Sequence, residues 1–299
     1  MKTAHVLFSA ALMTGFCSLS AQAATEATAQ ATMQSTARTT QHVTFQQIRN
    51  ATIKLTYAGT TFLIDPMLAK RGAYPGFAGS YRSELRNPLV ELPMPVADVI
   101  KADAVIVTHT HLDHWDEAAK KTLPKTVPLI AQDDTDAQAI RKDGFKDVRV
   151  LRDTIELKGT RISRAEGQHG SAEAIHAVPM LNPVMGIVFQ RPGYRTVYVA
   201  GDTIWNGQVE AAIKQFQPDV IILNTGYARI KGLDGSIIMG KADLQRAYEL
   251  APKATIIGSH MDAVNHGMQT RAELRAFIHA TGMDFSRVLV PDDGQSYQF

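Results

Sequence analysis

The run Thr108-His109-Thr110-His111-Leu112-Asp113-His114 gathers three imidazoles and a carboxylate within a few positions, directly after the apolar stretch Ala104 to Val107. A lone histidine is ordinarily a surface or core residue. This density points instead to metal ligation, the alternative being a polar loop rich in hydrogen-bonding side chains. His109 and His111 are two apart, so in an extended segment both rings project to one side and can grip one ion. Asp113 and His114 follow and would face a second ion.

Such donors need elements that bring them together. Val43 to Ile48, Thr52 to Tyr57 and Thr60 to Ile64 read as consecutive strands, with Gly59 in the second turn, and predict an antiparallel meander. Later strands are expected at Ala104 to Val107, Pro128 to Ala131, Thr160 to Arg164, Gly186 to Gln190, Thr196 to Ala200, Val220 to Leu223 and Thr255 to Ile257. Helical patterns fall at Gln208 to Phe216, Ala242 to Leu250 and Arg271 to His279, the last opened by the capping box Thr270-x-x-Glu273. The class is α/β with a mixed sheet system. Three strands run straight into chemistry: one into His109, one into Gly201-Asp202, one into Gly258-Ser259-His260. Carboxyl ends of strands are where α/β sheets gather functional side chains, so these residues are expected to converge.

The chain ends change what has to be explained. Lys2, an apolar stretch from Ala4 to Leu19 and Ala21-Gln22-Ala23 form a signal-peptide pattern over residues 1–23. The apolar stretch is shorter than the roughly 20 residues a spanning helix needs. A secreted or periplasmic protein without stable membrane association is expected. Residues 24–40, rich in Ala, Thr, Gln and Ser, read as a disordered linker, leaving 41–299 as one domain. Cleavage removes the only cysteine and one lysine, leaving a formal charge of +1. Thiolate ligands and disulfides are then excluded, and no electrostatic footprint for nucleic acid remains.

The motif Thr-His-x-His-x-Asp-His resembles the signature of the metallo-β-lactamase superfamily. So does the order of an isolated histidine in Gly167-Gln168-His169-Gly170, then Gly201-Asp202-Thr203, then Gly258-Ser259-His260. Phe62-Leu63-Ile64-Asp65-Pro66 is similar to the early strand end of the branch containing ascorbate-6-phosphate lactonase. The resemblance spans the whole domain and implies a four-layer αββα sandwich of two mixed sheets. It further implies that His109, His111 and His169 hold one metal, with His176 as the substitute for His169. Asp113, His114 and His260 would hold the other, and Asp202 would bridge them. Asp65 would orient a ligand imidazole, or serve only as an Asp-Pro turn.

Two divalent ions, Zn first and Mn or Fe equally compatible with these donors, would lower the pKa of water from about 15.7 to about 7 and so supply a hydroxide nucleophile at neutral pH. Asp113, His114 and Asp202 would support that chemistry directly, and Asp113 or Asp116 could shuttle protons. The expected reaction is hydrolysis of a lactone or other small-molecule ester. The true β-lactamases usually carry Cys or Ser where this chain has Asp202, so β-lactam hydrolysis is an alternative only, while a bridging carboxylate resembles the lactonases, glyoxalase II and phosphodiesterases and makes phosphodiester hydrolysis the other alternative. Metal binding without turnover and iron-dependent redox chemistry are readings of another class. For specificity, the long segment Met67 to Pro95 offers Tyr74, Arg82 and Arg86, and Gly226 to Gly240 offers Tyr227. His266, after Asn265, could contact substrate or satisfy its own loop. Oligomeric state is not encoded in any pattern found.

Overall fold

The computed structural model describes Met1 and residues 42–299. The signal-peptide and linker expectations for residues 1–40 therefore lie outside the described residues, and Gln41, the expected first residue of the domain, falls just before them.

The first three strands, β1 (Val43–Arg49), β2 (Thr52–Tyr57) and β3 (Thr60–Ile64), pair antiparallel as the expected meander. From β3 onward the same sheet turns parallel, through β4 (Ala104–Val107), β5 (Leu129–Ala131) and β6 (Val148–Val150). Parallel neighbours require crossovers, and short helices supply them: α1 (Val96–Val99), α2 (Glu117–Thr122) and α3 (Asp134–Lys142). The second sheet repeats the plan. Here β7 (Thr154–Leu157), β8 (Thr160–Glu166), β9 (Met185–Gln190) and β10 (Val197–Val199) are antiparallel. Then β10 runs parallel to β11 (Val220–Asn224), β11 to β12 (Thr255–Ser259) and β12 to β13 (Val288–Leu289). The last strand, β14 (Ser296–Gln298), returns to pair with β1, closing two seven-stranded sheets.

Alternation sorts side chains between two covered faces. Along β3, Phe62 and Ile64 enter the core between the sheets while Leu63 packs toward the helices. Along β4, Ala104 and Ile106 face inward and Val105 and Val107 outward. Both faces are covered, so these strands read as unbroken apolar runs without visible alternation. On the far side, α5 (Gly207–Phe216), α6 (Lys241–Leu250) and α7 (Arg271–Ala280) place Val209, Ile213, Leu244, Leu274 and Ile278 against Tyr198, Ile221 and Ile256 of the second sheet. The result is the four-layer αββα sandwich. The α7 capping box forms as its sequence predicts: Thr270 Oγ1 accepts from Glu273 N at 3.1 Å, and a Glu273 carboxylate oxygen accepts from Thr270 N at 2.8 Å.

The sequence pattern omits β6, β7, β13 and β14 and the helices α1, α2, α3 and α4 (Ala172–Ala177). These strands hold two to four residues and lie toward sheet edges, where one covered face suffices. The α3 helix buries only Asp136, Ala137 and Ile140, too little for an apolar stripe to stand out.

The two sheets meet through aromatic contacts, Phe62 on Phe189 with ring centroids 5.0 Å apart and Tyr57 on Phe189 at 5.8 Å. Phe62→Ala is expected to destabilise the domain by about 3–5 kcal/mol through the cavity it opens. Chemical denaturation with an unchanged m-value checks this, and a loss below about 1 kcal/mol would show that the seam does not depend on that ring.

Candidate metal centre

The parallel pairing of β3 with β4 sets Asp65, the residue after β3, beside Thr108, the residue after β4. Asp65 adopts φ +49°, a region aspartate tolerates better than most residues. Its carboxylate accepts from Thr108 N and from Thr108 Oγ1, each at 2.7 Å, and lies 2.9 Å from His114 Nδ1. The run then coils: His114 N and Trp115 N both donate to His111 O. In the second sheet the ladder of β10, β11 and β12 brings Asp202, Asn224 and His260 to one edge. Gly226 lets the chain pass that edge, because a Cβ there would stand 2.1 Å from His260 O.

The seven expected donors form two groups. His109, His111 and His169 offer ligand atoms within 4.8 Å of one another, and Asp113, His114, Asp202 and His260 do the same. Six are buried and His111 is half-buried. The Asp202 carboxylate faces both groups: one of its oxygens lies 3.1 Å from His114 Nε2 and 3.6 Å from both His260 Nε2 and His169 Nε2. His176 is exposed in the last turn of α4 and joins neither group.

The back atoms of the rings test whether a cation fits. His114 Nδ1 faces Asp65, His169 Nδ1 faces Ile237 O at 2.8 Å, His111 Nε2 faces Met180 O at 2.8 Å, and His109 Nδ1 faces Thr108 Oγ1 at 3.2 Å. Each acceptor fixes a proton on that nitrogen and leaves the other as a lone pair aimed into its cluster. His114 Nε2 and His260 Nε2 meet at 3.3 Å beside oxygens of Asp202 and Asp113, a crowding of donor atoms that a divalent cation relieves. The donor set fits the metal.

The electrostatics agree. Burial alone would lower His114, but Asp202, Asp65 and Asp113 outweigh it and raise the imidazole well above its ordinary range. Burial, then the neighbouring His114 and His111 rings, drives His109 well below that range, and burial takes His169 down to about 4. Burial opposes ionisation of Asp113 and Asp202, yet His114 leads the charges that hold both carboxyls well below normal. No lysine or arginine is among the strongest influences on these groups.

Two residues at the centre were not singled out from the sequence. Asn224, the last residue of β11, donates to the second Asp202 oxygen at 2.7 Å. Its signal was its place at a parallel strand's carboxyl end, shared with the ligand strands. Asn50, in the β1–β2 turn at φ +57°, donates to Asp113 O at 3.0 Å and accepts from His260 N at 3.2 Å. Its carbonyl also accepts from the nearby Gln47 Nε2 at 2.8 Å, but its contacts with the centre are far away in sequence.

The specificity candidates divide. Arg82 and Arg86 do not present an open anion site, contrary to expectation. Arg82 donates to the carbonyls of Asn265 and Gly267, and Arg86 to those of Gly72 and Ala73, because the irregular loop leaves those carbonyls without strand partners. Tyr74 is turned toward Asp116, and burial, then the Asp116 charge, raises its hydroxyl to about 12. Asp116 itself accepts from Leu68 N, Ala69 N and Ala119 N as the cap of α2, which occupies it as a proton shuttle. Tyr227, with its ring against Gly240, borders a cleft of about 500 Å³ with Arg229, Lys241 and Gln269, none of them a cluster residue. His266 is buried beside the centre, with Asp113 and His260 among its strongest electrostatic neighbours, and is lowered to about 4 chiefly by burial.

This geometry has relatives. Residues 60–261 match the family model described as a beta-lactamase superfamily domain. The chain is similar to the UPF0173 protein YddR of Bacillus subtilis, 44% identical over 85% of this chain and 98% of that one. It is similar to the crystal structure of a possible metal-dependent hydrolase from Veillonella parvula, with 43% identity, a TM-score of 0.83 and coverage of 85% and 98%. It is also similar to the crystal structure of isothiocyanate hydrolase from Delia radicum gut bacteria, with 46% identity, a TM-score of 0.82 and coverage of 86% and 99%. The chain belongs to the metallo-β-lactamase superfamily and, within it, to the UPF0173 metal-dependent hydrolases. It is a metal-dependent hydrolase.

His169→Ala is expected to lose metal from the first cluster while His176→Ala keeps it, as elemental analysis of the purified variants reads directly. Asp65→Asn, which keeps the shape but weakens the acceptor for His114, is expected to lower metal affinity about 10- to 100-fold in competition with a chelator.

Proposed function

We propose that the chain carries two divalent ions, Zn first, and hydrolyses a small uncharged electrophile, with isothiocyanates as the substrate class. The observation that carries the dinuclear reading is the single Asp202 oxygen within 3.6 Å of ring nitrogens from both clusters. The isothiocyanate class is supported by the 46% identical hydrolase from Delia radicum gut bacteria. It is also supported by the absence of lysine and arginine from the strongest charges on the clusters and by the commitment of Arg82 and Arg86 to backbone carbonyls. An anionic substrate, such as a phosphodiester or a phosphorylated lactone, would meet the ions but find Arg82 and Arg86 already engaged with backbone carbonyls. An uncharged lactone or ester remains the rival.

His109, His111 and His169 would hold one ion, Asp113, His114 and His260 the other, and Asp202 both. The ions supply Lewis acidity and a nucleophile derived from water near neutral pH. The protein's own part is geometric. Asp65 fixes the tautomer and plane of His114, Ile237 O those of His169, and Asn224 the plane of Asp202. In the reaction, water's oxygen bonds to the central carbon of R–N=C=S, its two protons pass to nitrogen, and the C–N bond breaks, giving R–NH2 and carbonyl sulfide. We also infer export: the 1–23 pattern supports a processed chain beginning at Ala24, which amino-terminal sequencing of secreted material reads.

Protein with about two ions per chain is expected to convert benzyl isothiocyanate to benzylamine, and Asp202→Ala to lose at least about a hundredfold in kcat/KM together with metal. Turnover of a lactone but not of an isothiocyanate would overturn the substrate class. No turnover of either by metal-loaded protein would move the chain to metal binding without catalysis.

A further inference from the structure

One residue, Asn265, gathers several of the hydrogen bonds that hold the loop between β3 and α1. Asn265 is fully buried and all its side-chain hydrogen-bonding capacity is used. Its Oδ1 accepts from Phe77 N at 3.0 Å and from Asn87 Nδ2 at 2.8 Å, and its Nδ2 donates to Ser80 Oγ at 2.8 Å and Tyr81 O at 2.7 Å. Its backbone N donates to Asn87 Oδ1 at 2.8 Å, and Arg82 Nε donates to its carbonyl at 2.8 Å. The loop also closes on itself at Gly76, where a Cβ would stand 2.4 Å from Leu85 O. The latch fixes the backbone at Phe77. Its ring is partly exposed and meets His266 edge-on, with centroids 4.8 Å apart. His266 in turn neighbours the Asp113–His260 cluster, and its buried Nδ1 has no hydrogen-bond partner.

We propose that Phe77, positioned by Asn265, is the apolar wall beside the metal centre that selects the organic group of the substrate. The proposal rests on the isothiocyanate reading for its substrates but not for its geometry. A partly exposed aromatic ring whose backbone is held by a fully satisfied buried amide and whose ring packs on His266 is a stiff surface, and such aromatic surfaces favour flat or bulky apolar partners over small ones. Asn265 acts through Phe77 and is a positioning residue; neither is a metal donor.

The test compares wild type, Phe77→Ala, Phe77→Tyr and Asn265→Ser, all metal-loaded, on methyl and benzyl isothiocyanate. Benzylamine and methylamine, the corresponding amines, serve as binding probes followed by NMR, so that the readout does not depend on turnover. Phe77→Ala is expected to raise KM and weaken benzylamine binding about five- to tenfold. It should leave methyl isothiocyanate, kcat and metal content within about twofold. Phe77→Tyr restores the preference. Asn265→Ser should reproduce the loss of preference and expose the loop to trypsin at Arg82 and Arg86 while retaining metal. Equal effects on both sizes, or none, would overturn the inference. If wild type hydrolyses no isothiocyanate yet binds benzylamine through Phe77, the substrate reading fails and the wall stands. Wild type that neither turns over nor binds the aromatic probe overturns both.

Discussion

Asp65, Asp113 and Asp202 are buried around a single imidazole, His114, with His260 sharing two of those carboxylates. Removing that many ionisable groups from water is costly unless each finds a partner of opposite sign. The protein's own imidazoles balance it only in part, because burial depresses His109 and His169 in the same small volume in which the carboxylates, against burial, raise His114 and His260. This unresolved demand for positive charge is what the surrounding architecture maintains. Thr108 and Asp65 close a ring of hydrogen bonds behind His109 and His114, and Asn50, Asn224 and Ile237 O each pin one further donor or its backbone.

The sheets explain why these groups arrive together. Each sheet begins antiparallel and becomes parallel, and only parallel strands deliver successive carboxyl ends to one edge. The motif leaves β4 in the first sheet, while Asp202 and His260 leave β10 and β12 in the second. The two segments the sequence marks as irregular are tied to each other, Tyr81 N to Arg229 O and Lys231 N to Gly79 O, so they form a built rim.

Much of this was legible in the sequence, and the reasons differ by residue. His109, His111, Asp113 and His114 announce themselves because ligands on one turn must be close in sequence. Asp202 and His260 were readable because a parallel strand leaves an apolar run that ends abruptly in a polar residue. Choosing His169 over His176 needed the fold, because only the folded chain buries one of them beside His109 and His111 and leaves the other exposed on α4. Arg82 and Arg86 misled because a guanidinium satisfying backbone carbonyls and one awaiting an anion look alike in sequence. Asn50 and Asn265 were illegible as a brace and a latch because the groups they tie to the centre and to the loop are distant along the chain. The short edge strands failed for want of length.

The β1–β2 turn has a further consequence. Asn50 grips Asp113 through one group and His260 through another, while the donors themselves come from elements in both sheets. The centre is thus a rivet through the sandwich, completed only when the far carboxy-terminal third of the chain has folded onto the first hairpin. Metal seated there would bind the native form and not a half-built one, so free metal concentration would set the cohesion of the whole fold by mass action: about 4 kcal/mol at a thousandfold excess over the dissociation constant. Metal supply would then govern the protein's lifetime as well as its chemistry.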